Sequence, residues 1–203
     1  MGCAFPAQLI ENTISFHGHA CPGLMIGIRA AELALRELGA HDKPNLVAVV
    51  ETDMCGVDAI QFLTGCTFGK GNLIHKDYGK MAFSFFHRPS NRGFRALLNP
   101  SLKIGPSEEL RALISRISQA AATPEEQREI QVLRQRSQEA YLAADLDELF
   151  IRQPNTCPAP RPARILESLA CEDCGEKTME SRTRRFGGRT LCIPCFLKIE
   201  QKI

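Results

Sequence analysis

The sequence lacks any apolar run long enough to cross a bilayer. A membrane-spanning helix needs about 20 consecutive apolar residues, and no stretch of the 203 residues approaches that length. The opening residues, MGCAFPAQLI, have neither the basic region nor the long apolar region typical of a secretory signal. We therefore expect a cytoplasmic protein without a membrane partner.

An excess of charge of one sign is also absent. The 25 Lys and Arg residues nearly balance the 23 Asp and Glu residues, which leaves a net charge of +2. Such a balance indicates no polyanionic partner for the chain as a whole. The hydrophobic share of 44% and the charged share of 24% are ordinary for a globular protein. The length suits one medium domain with an appendage, or two small domains.

Cysteine, in contrast, is abundant, although none occurs between residues 67 and 156. Disulfides are rare in a reducing cytosol, so cysteines at this density favour metal binding or redox chemistry. The gap between the two groups indicates two separate sites. The cysteines are Cys3, Cys21, Cys55, Cys66, Cys157, Cys171, Cys174, Cys192 and Cys195.

Short helix and strand patterns alternate without a regular order in the first 150 residues. Apolar residues from Leu24 to Leu38 recur at helical spacing and predict an amphipathic helix, with Pro22 at its first position and Gly39 at its end. The mixture favours an α+β core domain rather than a repeated βαβ fold. The other predicted elements are strands over 46–51, 81–86 and 94–98, and helices over 56–64, over 107–121, and from the Thr123 cap to about 142.

A proline-rich stretch separates this region from the C-terminal cysteines. QPNTCPAPRPA, residues 153–163, holds four prolines, which excludes a central strand or a helix interior and favours an extended linker. We therefore divide the chain into a core domain over 1–150, a linker over 151–168 and a zinc-finger domain over 169–203.

The C-terminal cysteines have the spacing of a four-cysteine zinc site: Cys171-x-x-Cys174, seventeen residues, then Cys192-x-x-Cys195. Each C-x-x-C turn places two thiolates on one side, and two turns complete a tetrahedron around Zn²⁺. Four protein ligands close the site, so we expect a structural zinc that supplies folding energy to a small module. The hairpin between the pairs is basic, and we expect it to face a protein partner or a sister subunit. Its arginines are Arg182, Arg184, Arg185 and Arg189.

A second candidate site lies in FHGHACPG, where His17, His19 and Cys21 are spaced H-x-H-x-C. Alternate residues of an extended segment face one side, so we expect these side chains to converge. The helix that begins at Pro22 would stabilise a Cys21 thiolate at its N-terminus. Imidazole and thiolate suit zinc or another borderline-soft metal. Three interpretations stay open: a metal site, a reactive thiol without metal, and a structural role.

Other residues could join this site. Cys55 lies between a predicted strand and a predicted helix, and Cys66 begins a glycine-rich loop. That loop, GCTFGKG, lacks the spacing of a nucleotide-binding phosphate loop and the hydroxyl after its lysine, so we do not expect an NTPase. Lys70 could still meet an anion there. The nearby polar residues are Asp53, Asp58, Lys70 and Asn72.

Taken together, FHGHACPGLMIG, ETDMCGVDAIQFLTGCTFGKGNL, DYGKMAF and the four-cysteine tail resemble the family of the formylmethanofuran dehydrogenase E-subunit, over about 5–105 and 165–203. The resemblance implies an α+β core, a C-terminal zinc finger of zinc-ribbon or treble-clef type, and a homodimer. The family is named for a molybdenum or tungsten enzyme that reduces CO₂ to a formyl group on methanofuran. Patterns of its catalytic subunit, for molybdopterin or iron–sulfur clusters, are absent here. By position, the core-site residues are His17, His19, Cys21, Cys55 and Cys66.

Three functions follow as hypotheses. The first is a metal-binding, redox-related protein, an oxidoreductase subunit, with Cys21 as catalytic residue, a structural Zn²⁺ in the tail and a second transition metal, expected to be Zn²⁺, in the core. The second is a non-catalytic accessory or metal-delivery subunit that docks on a molybdenum or tungsten oxidoreductase. The third is a zinc-finger nucleic-acid binder, which we do not expect.

Overall fold

The chain forms two compact units, residues 1–162 and 163–203. The computed structural model describes residues 2–39, 43–104, 108–117, 123–155 and 157–199. The first unit continues beyond residue 150, because the residues that follow add a strand to its sheet. No helix in the described ranges has the length and apolar character that a membrane span requires.

A five-stranded mixed sheet, in the order β2-β1-β3-β4-β5, forms the centre of the first unit. β1 is parallel to β2 and antiparallel to β3, and the remaining neighbours are antiparallel. The three predicted strands are confirmed with small shifts, as β1, β3 and β4. β2 was not predicted, and β5 lies where the sequence predicted linker; its Pro154 is tolerated because β5 is an edge strand. The bounds are β1 Leu46–Val50, β2 Leu73–His75, β3 Ala82–His87, β4 Arg92–Leu98 and β5 Phe150–Pro154.

Six helices accompany this sheet in the described residues, and a short 3₁₀ turn, Lys43–Asn45, precedes β1. The four predicted helices correspond to α2, α3, α4 and α5; residues 107 and 118–121 of the α4 prediction lie outside the described residues. α5 begins with the predicted cap, in which Thr123 and Glu126 exchange side-chain and backbone hydrogen bonds. α1 was not predicted. The bounds are α1 Ala7–His17, α2 Pro22–Leu38, α3 Gly56–Thr64, α4 Glu108–Ile117, α5 Pro124–Ala143 and α6 Leu146–Leu149.

α2 is buried on nearly all sides, so the prediction of one apolar face is wrong. The helix packs against α3 and α5 and also contacts β3 and β4. Its polar residues are buried as well: the Arg29 guanidinium donates to the Glu32 carboxylate at 2.7 Å and to the Ala144 carbonyl at 2.5 Å. This pairing offsets the cost of burying both charges, and it makes an all-round buried helix possible.

Two glycines let α2 and α3 approach closely. A Cβ atom added at Gly27 would lie closer than 3.0 Å to the backbone carbonyl and Cα of Gly56. Backbone atoms cannot move aside as the end of a flexible side chain can, so any side chain at position 27 would separate the helices. The contact also brings together the residues that precede the two helices, Cys21 and Cys55.

We expect Gly27→Ala to lower the free energy of unfolding by about 1 to 3 kcal/mol, because it overpacks this contact. Urea unfolding measures the loss. Gly69→Ala is the matched control, since an added Cβ there meets nothing within 4 Å. Equal stability of the two variants would contradict the close-packing interpretation.

A paired carboxylate anchors the end of β1. Glu51 is 7% exposed and accepts two hydrogen bonds from the Arg95 guanidinium, at 2.6 and 2.8 Å. Arg95 also donates to Gln153 on β5 at 2.8 Å. The Arg95 hydrogen bonds hold the pKa of Glu51 below its ordinary value of 4.5, against the opposing effect of burial. The loop that leads to Cys55 starts from this fixed point.

We expect Glu51→Gln to cost about 2 to 3 kcal/mol of folding stability at pH 7, because charged hydrogen bonds are lost. The lowered pKa means that wild type has the whole contribution above pH 4.5 and loses it as the pH falls through the lowered folded value. The stability gap between wild type and variant should therefore shrink on acidification. Urea unfolding between pH 7 and 3 measures the gap. The exposed Glu129→Gln should show no such gap at any pH, and a gap that persists in acid would contradict the assignment.

The second unit consists of two hairpins and a short helix. Its small core contains Leu191 and three cysteines, with Phe186 and Phe196 packed against them. Gly187 and Gly188 both have positive φ and form the turn between β8 and β9. The bounds are β6 Ser168–Ala170, β7 Lys177–Met179, a 3₁₀ turn Glu180–Arg182, β8 Thr183–Phe186, β9 Arg189–Cys192 and α7 Ile193–Leu197.

Candidate metal centres

Four side chains of the first unit form a compact donor cluster, here called the core cluster: His17, His19, Cys21 and Cys55. One ligand atom of each lies within 4.8 Å of all the others. His17 is the last residue of α1, Cys21 precedes α2, and Cys55 precedes α3. Three helix ends therefore meet at one point.

The segment 17–21 converges by a different backbone from the extended one predicted. Helix α1 ends at His17, and Gly18 adopts a left-handed conformation, φ 95°, with its N–H bonded to the Ile14 carbonyl at 2.8 Å. The chain then reverses into Cys21, which has extended backbone angles. This turn places the rings of His17 and His19 with their centroids 4.5 Å apart.

His17 is prepared as a metal ligand. Its Nδ1 lies 2.7 Å from the Asp58 carboxylate, whereas its Nε2 is buried without a hydrogen-bond partner among the described residues. A carboxylate that accepts from Nδ1–H leaves the lone pair on Nε2, the arrangement commonly found behind metal-binding histidines. A buried nitrogen without a partner is costly, and a metal ion at the cluster would satisfy it.

Cys21 caps α2 through its sulfur. The Leu24 N–H donates to Cys21 Sγ at 3.4 Å, so the predicted contact with the helix N-terminus is present. Burial nevertheless raises the pKa of Cys21; the Leu24 N–H opposes the rise and the neighbouring Cys55 thiol adds to it. The prediction that the helix stabilises a free thiolate is therefore wrong in sign. A bound cation would reverse this balance, so the geometry favours a metal ligand over a metal-free reactive thiol.

The remaining predicted core-site residues separate into two groups. Asp58 bonds His17, and Asp53 lines the adjacent cavity. Cys66, Lys70 and Asn72 lie beyond the other end of α3. Cys66 is fully buried in the hydrophobic core. The Asn72 amide bonds the Thr67 N–H and the Leu46 carbonyl, at 2.9 and 3.1 Å. The structure therefore does not place Cys66 in the donor cluster.

A cavity of about 320 Å³ opens beside the core cluster. The sequence analysis missed its wall, because β2 is only three residues long and its His75 follows two ordinary apolar residues. The order β2-β1 in the sheet brings His75 to the end of β1. The cavity is lined by His17, Val50, Thr52, Asp53, Met54, Cys55, Val57, Asp58, Leu73 and His75.

In the second unit, the four predicted cysteines form a second donor cluster, with sulfur atoms within 4.8 Å of one another. N–H groups of Cys174 and Cys192 lower the pKa of Cys171 to about 6, while the neighbouring Cys192 thiol raises the pKa of Cys195. Four thiolates cannot lie this close without a compensating cation, and a zinc ion supplies that charge. This donor set fits a closed, four-coordinate zinc site.

Comparison with known proteins matches both units. Residues 16–151, more than half of the chain, match the family described as "FmdE, Molybdenum formylmethanofuran dehydrogenase operon". The chain belongs to the FmdE family. All four core-cluster residues lie within the matched range. Residues 164–201 match the prokaryotic dksA/traR C4-type zinc finger, which includes the four C-terminal cysteines. The predicted family is thereby confirmed.

Two individual proteins are similar along nearly the whole chain. A probable S-adenosyl-L-methionine-binding protein from Archaeoglobus fulgidus is 28% identical over 196 residues, which covers 93% of this chain and 52% of the relative. The chain thus spans about half the length of that relative. The crystal structure of an FmdE-like protein of tungsten formylmethanofuran dehydrogenase from Syntrophus aciditrophicus is 22% identical, with a TM-score of 0.63 over 100% of both chains. This likeness shows the fold, and the predicted α+β core with a small zinc-binding domain is confirmed.

The core cluster leads to a prediction about Asp58. We expect Asp58→Asn to weaken zinc binding at the core cluster by about 10- to 100-fold, because the carboxylate that orients His17 is lost. Competition with a chromophoric chelator on metal-free protein measures the affinity. Asp53→Asn is the matched control: it lies in the same cavity wall but carries no hydrogen bond to His17 in the described structure. Equal weakening by both changes would contradict the orienting role.

Proposed function

We propose that this chain is a metal-binding protein whose core cluster holds a transition metal, expected to be zinc, at the mouth of a small-molecule cavity. The observation that carries the proposal is the buried, unpartnered Nε2 of His17 within a group of two imidazoles and two thiols. Two nitrogen and two sulfur donors at this spacing suit tetrahedral zinc.

The residues of the chain have distinct roles in this centre. Asp58 keeps the proton on Nδ1 of His17, and the Leu24 N–H donates to the Cys21 sulfur. His19 is the exposed member of the cluster, so it is the ligand that a small molecule could replace. A bound metal would supply Lewis-acid chemistry at that position. The cavity wall, with Asp53, Asp58 and His75, would orient the incoming molecule.

The closeness of Cys21 and Cys55 supports the redox-related part of the proposal. The two thiols interact directly in the absence of metal. With a two-electron oxidant such as a peroxide, they could join as a disulfide, releasing two electrons and two protons. The assignment of Cys21 as a catalytic residue stays a prediction.

Metal stoichiometry tests the proposal. Wild type should bind two zinc ions per chain, measured by elemental analysis after equilibrium dialysis. Cys21→Ser should lose the core ion and keep the other, whereas Cys174→Ser should lose the C-terminal ion and keep the core one. Cys157→Ser, an exposed cysteine outside both clusters, is the matched control and should bind two.

One ion per wild-type chain, unaffected by Cys21→Ser, would refute the core metal centre. That result would favour the alternative function, an accessory or metal-delivery subunit with a structural zinc in the tail alone. Docking on a molybdenum or tungsten enzyme, a homodimer, the absence of nucleic-acid binding and a cytoplasmic location stay predictions of the sequence analysis.

A further inference from the structure

A second cavity, of about 390 Å³, lies at the opposite end of α3 from the core cluster. Its described lining residues are Pro44, Gly65, Lys70, Asn72 and Arg88. Gly65 follows the last residue of α3, whereas Cys55 precedes the first. At about 1.5 Å per residue, the helix separates the two places by about 14 Å. The metal-binding proposal assigns no role to this cavity.

Arg88 is held in the cavity wall with part of its hydrogen-bonding capacity unused. Its Nε donates to the Pro160 carbonyl at 3.1 Å, which orients the guanidinium. Its Nη2 is buried and has no hydrogen-bond partner among the described residues. Buried N–H groups of a charged side chain are normally paired, so this nitrogen indicates an occupant with acceptor oxygens.

Lys70 adds a second positive charge to the same cavity. Its ammonium donates to the Gly65 carbonyl at 3.0 Å, and the two other N–H groups remain for a ligand. None of the described lining residues carries a carboxylate that could neutralise the two cations. Burial raises the pKa of Cys66, and the charges of both Lys70 and Arg88 oppose that rise. Both cations therefore act on one buried thiol and lie close together.

We propose that this cavity binds the phosphate group of a small phosphorylated molecule. A phosphate monoester carries a charge of about −1.5 to −2 at neutral pH, which matches the two cations, whereas a carboxylate would leave one of them uncompensated. The guanidinium fork suits two phosphate oxygens, and the ammonium can reach a third. The volume exceeds that of a phosphate ion and is typical of a small-molecule site, so the rest of the molecule has room beside Pro44.

Titration of the zinc-loaded full chain with inorganic phosphate, followed by ³¹P NMR in phosphate-free buffer, tests this site. Binding should be saturable. Arg88→Gln should raise the Kd for phosphate at least tenfold, and Lys70→Gln several-fold. The exposed Lys103→Gln, outside the cavity, is the matched control and should leave the Kd unchanged. Acetate, tested by competition at equal ionic strength, should displace phosphate at least tenfold less effectively than sulfate, which shares the tetrahedral oxygens.

Cys21→Ser should retain phosphate binding, which separates this site from any anion held at the core metal. Failure of the metal proposal would therefore leave this result intact. Arg88→Gln also loses the bond to Pro160, so circular dichroism must show that it folds; if it does not, Lys70→Gln decides. Absence of saturable binding, an unchanged Kd in the folded cavity variants, or equal displacement by acetate and sulfate would overturn the proposal.

Discussion

The close contact between Gly27 and Gly56 is the constraint on which the core unit depends. Without a Cβ at either position, two helix backbones approach until they touch. That approach is possible only because α2 is buried on nearly all sides and its charged residues, Arg29 and Glu32, are paired inside the protein. The position of Cys55 beside Cys21 follows from this helix crossing.

The core cluster uses the ends of helices rather than their faces. The C-terminus of α1 supplies His17, and the N-termini of α2 and α3 supply the two cysteines. Helix ends are well defined in space and carry free N–H groups, so they hold ligands firmly and can donate to a sulfur. Asp58, one turn into α3, completes the arrangement by bonding His17. The same helix thus provides a ligand and the group that orients another.

The two units use cysteine differently. In the second unit, four sulfurs close around one position and leave little core without the metal, so the metal is part of the fold. In the first unit, a large hydrophobic core surrounds the sheet and α2, and the donor cluster lies at its edge beside a cavity. This contrast agrees with a structural site in one unit and a site available to ligands in the other.

The sequence by itself determined the elements whose signals are local. The C-x-x-C pairs, the Thr123 cap, the Pro22 start of α2 and the β-branched strand β1 all follow from neighbouring residues. The family follows from the order and length of the motifs. Only the tertiary structure decided the membership of the core cluster. Cys55 and Cys66 flank the same helix, but α3 carries them to opposite ends, so one becomes a donor and the other a core residue. His75 reached the cavity wall through strand pairing, which relates residues far apart in the chain and leaves no local pattern to read.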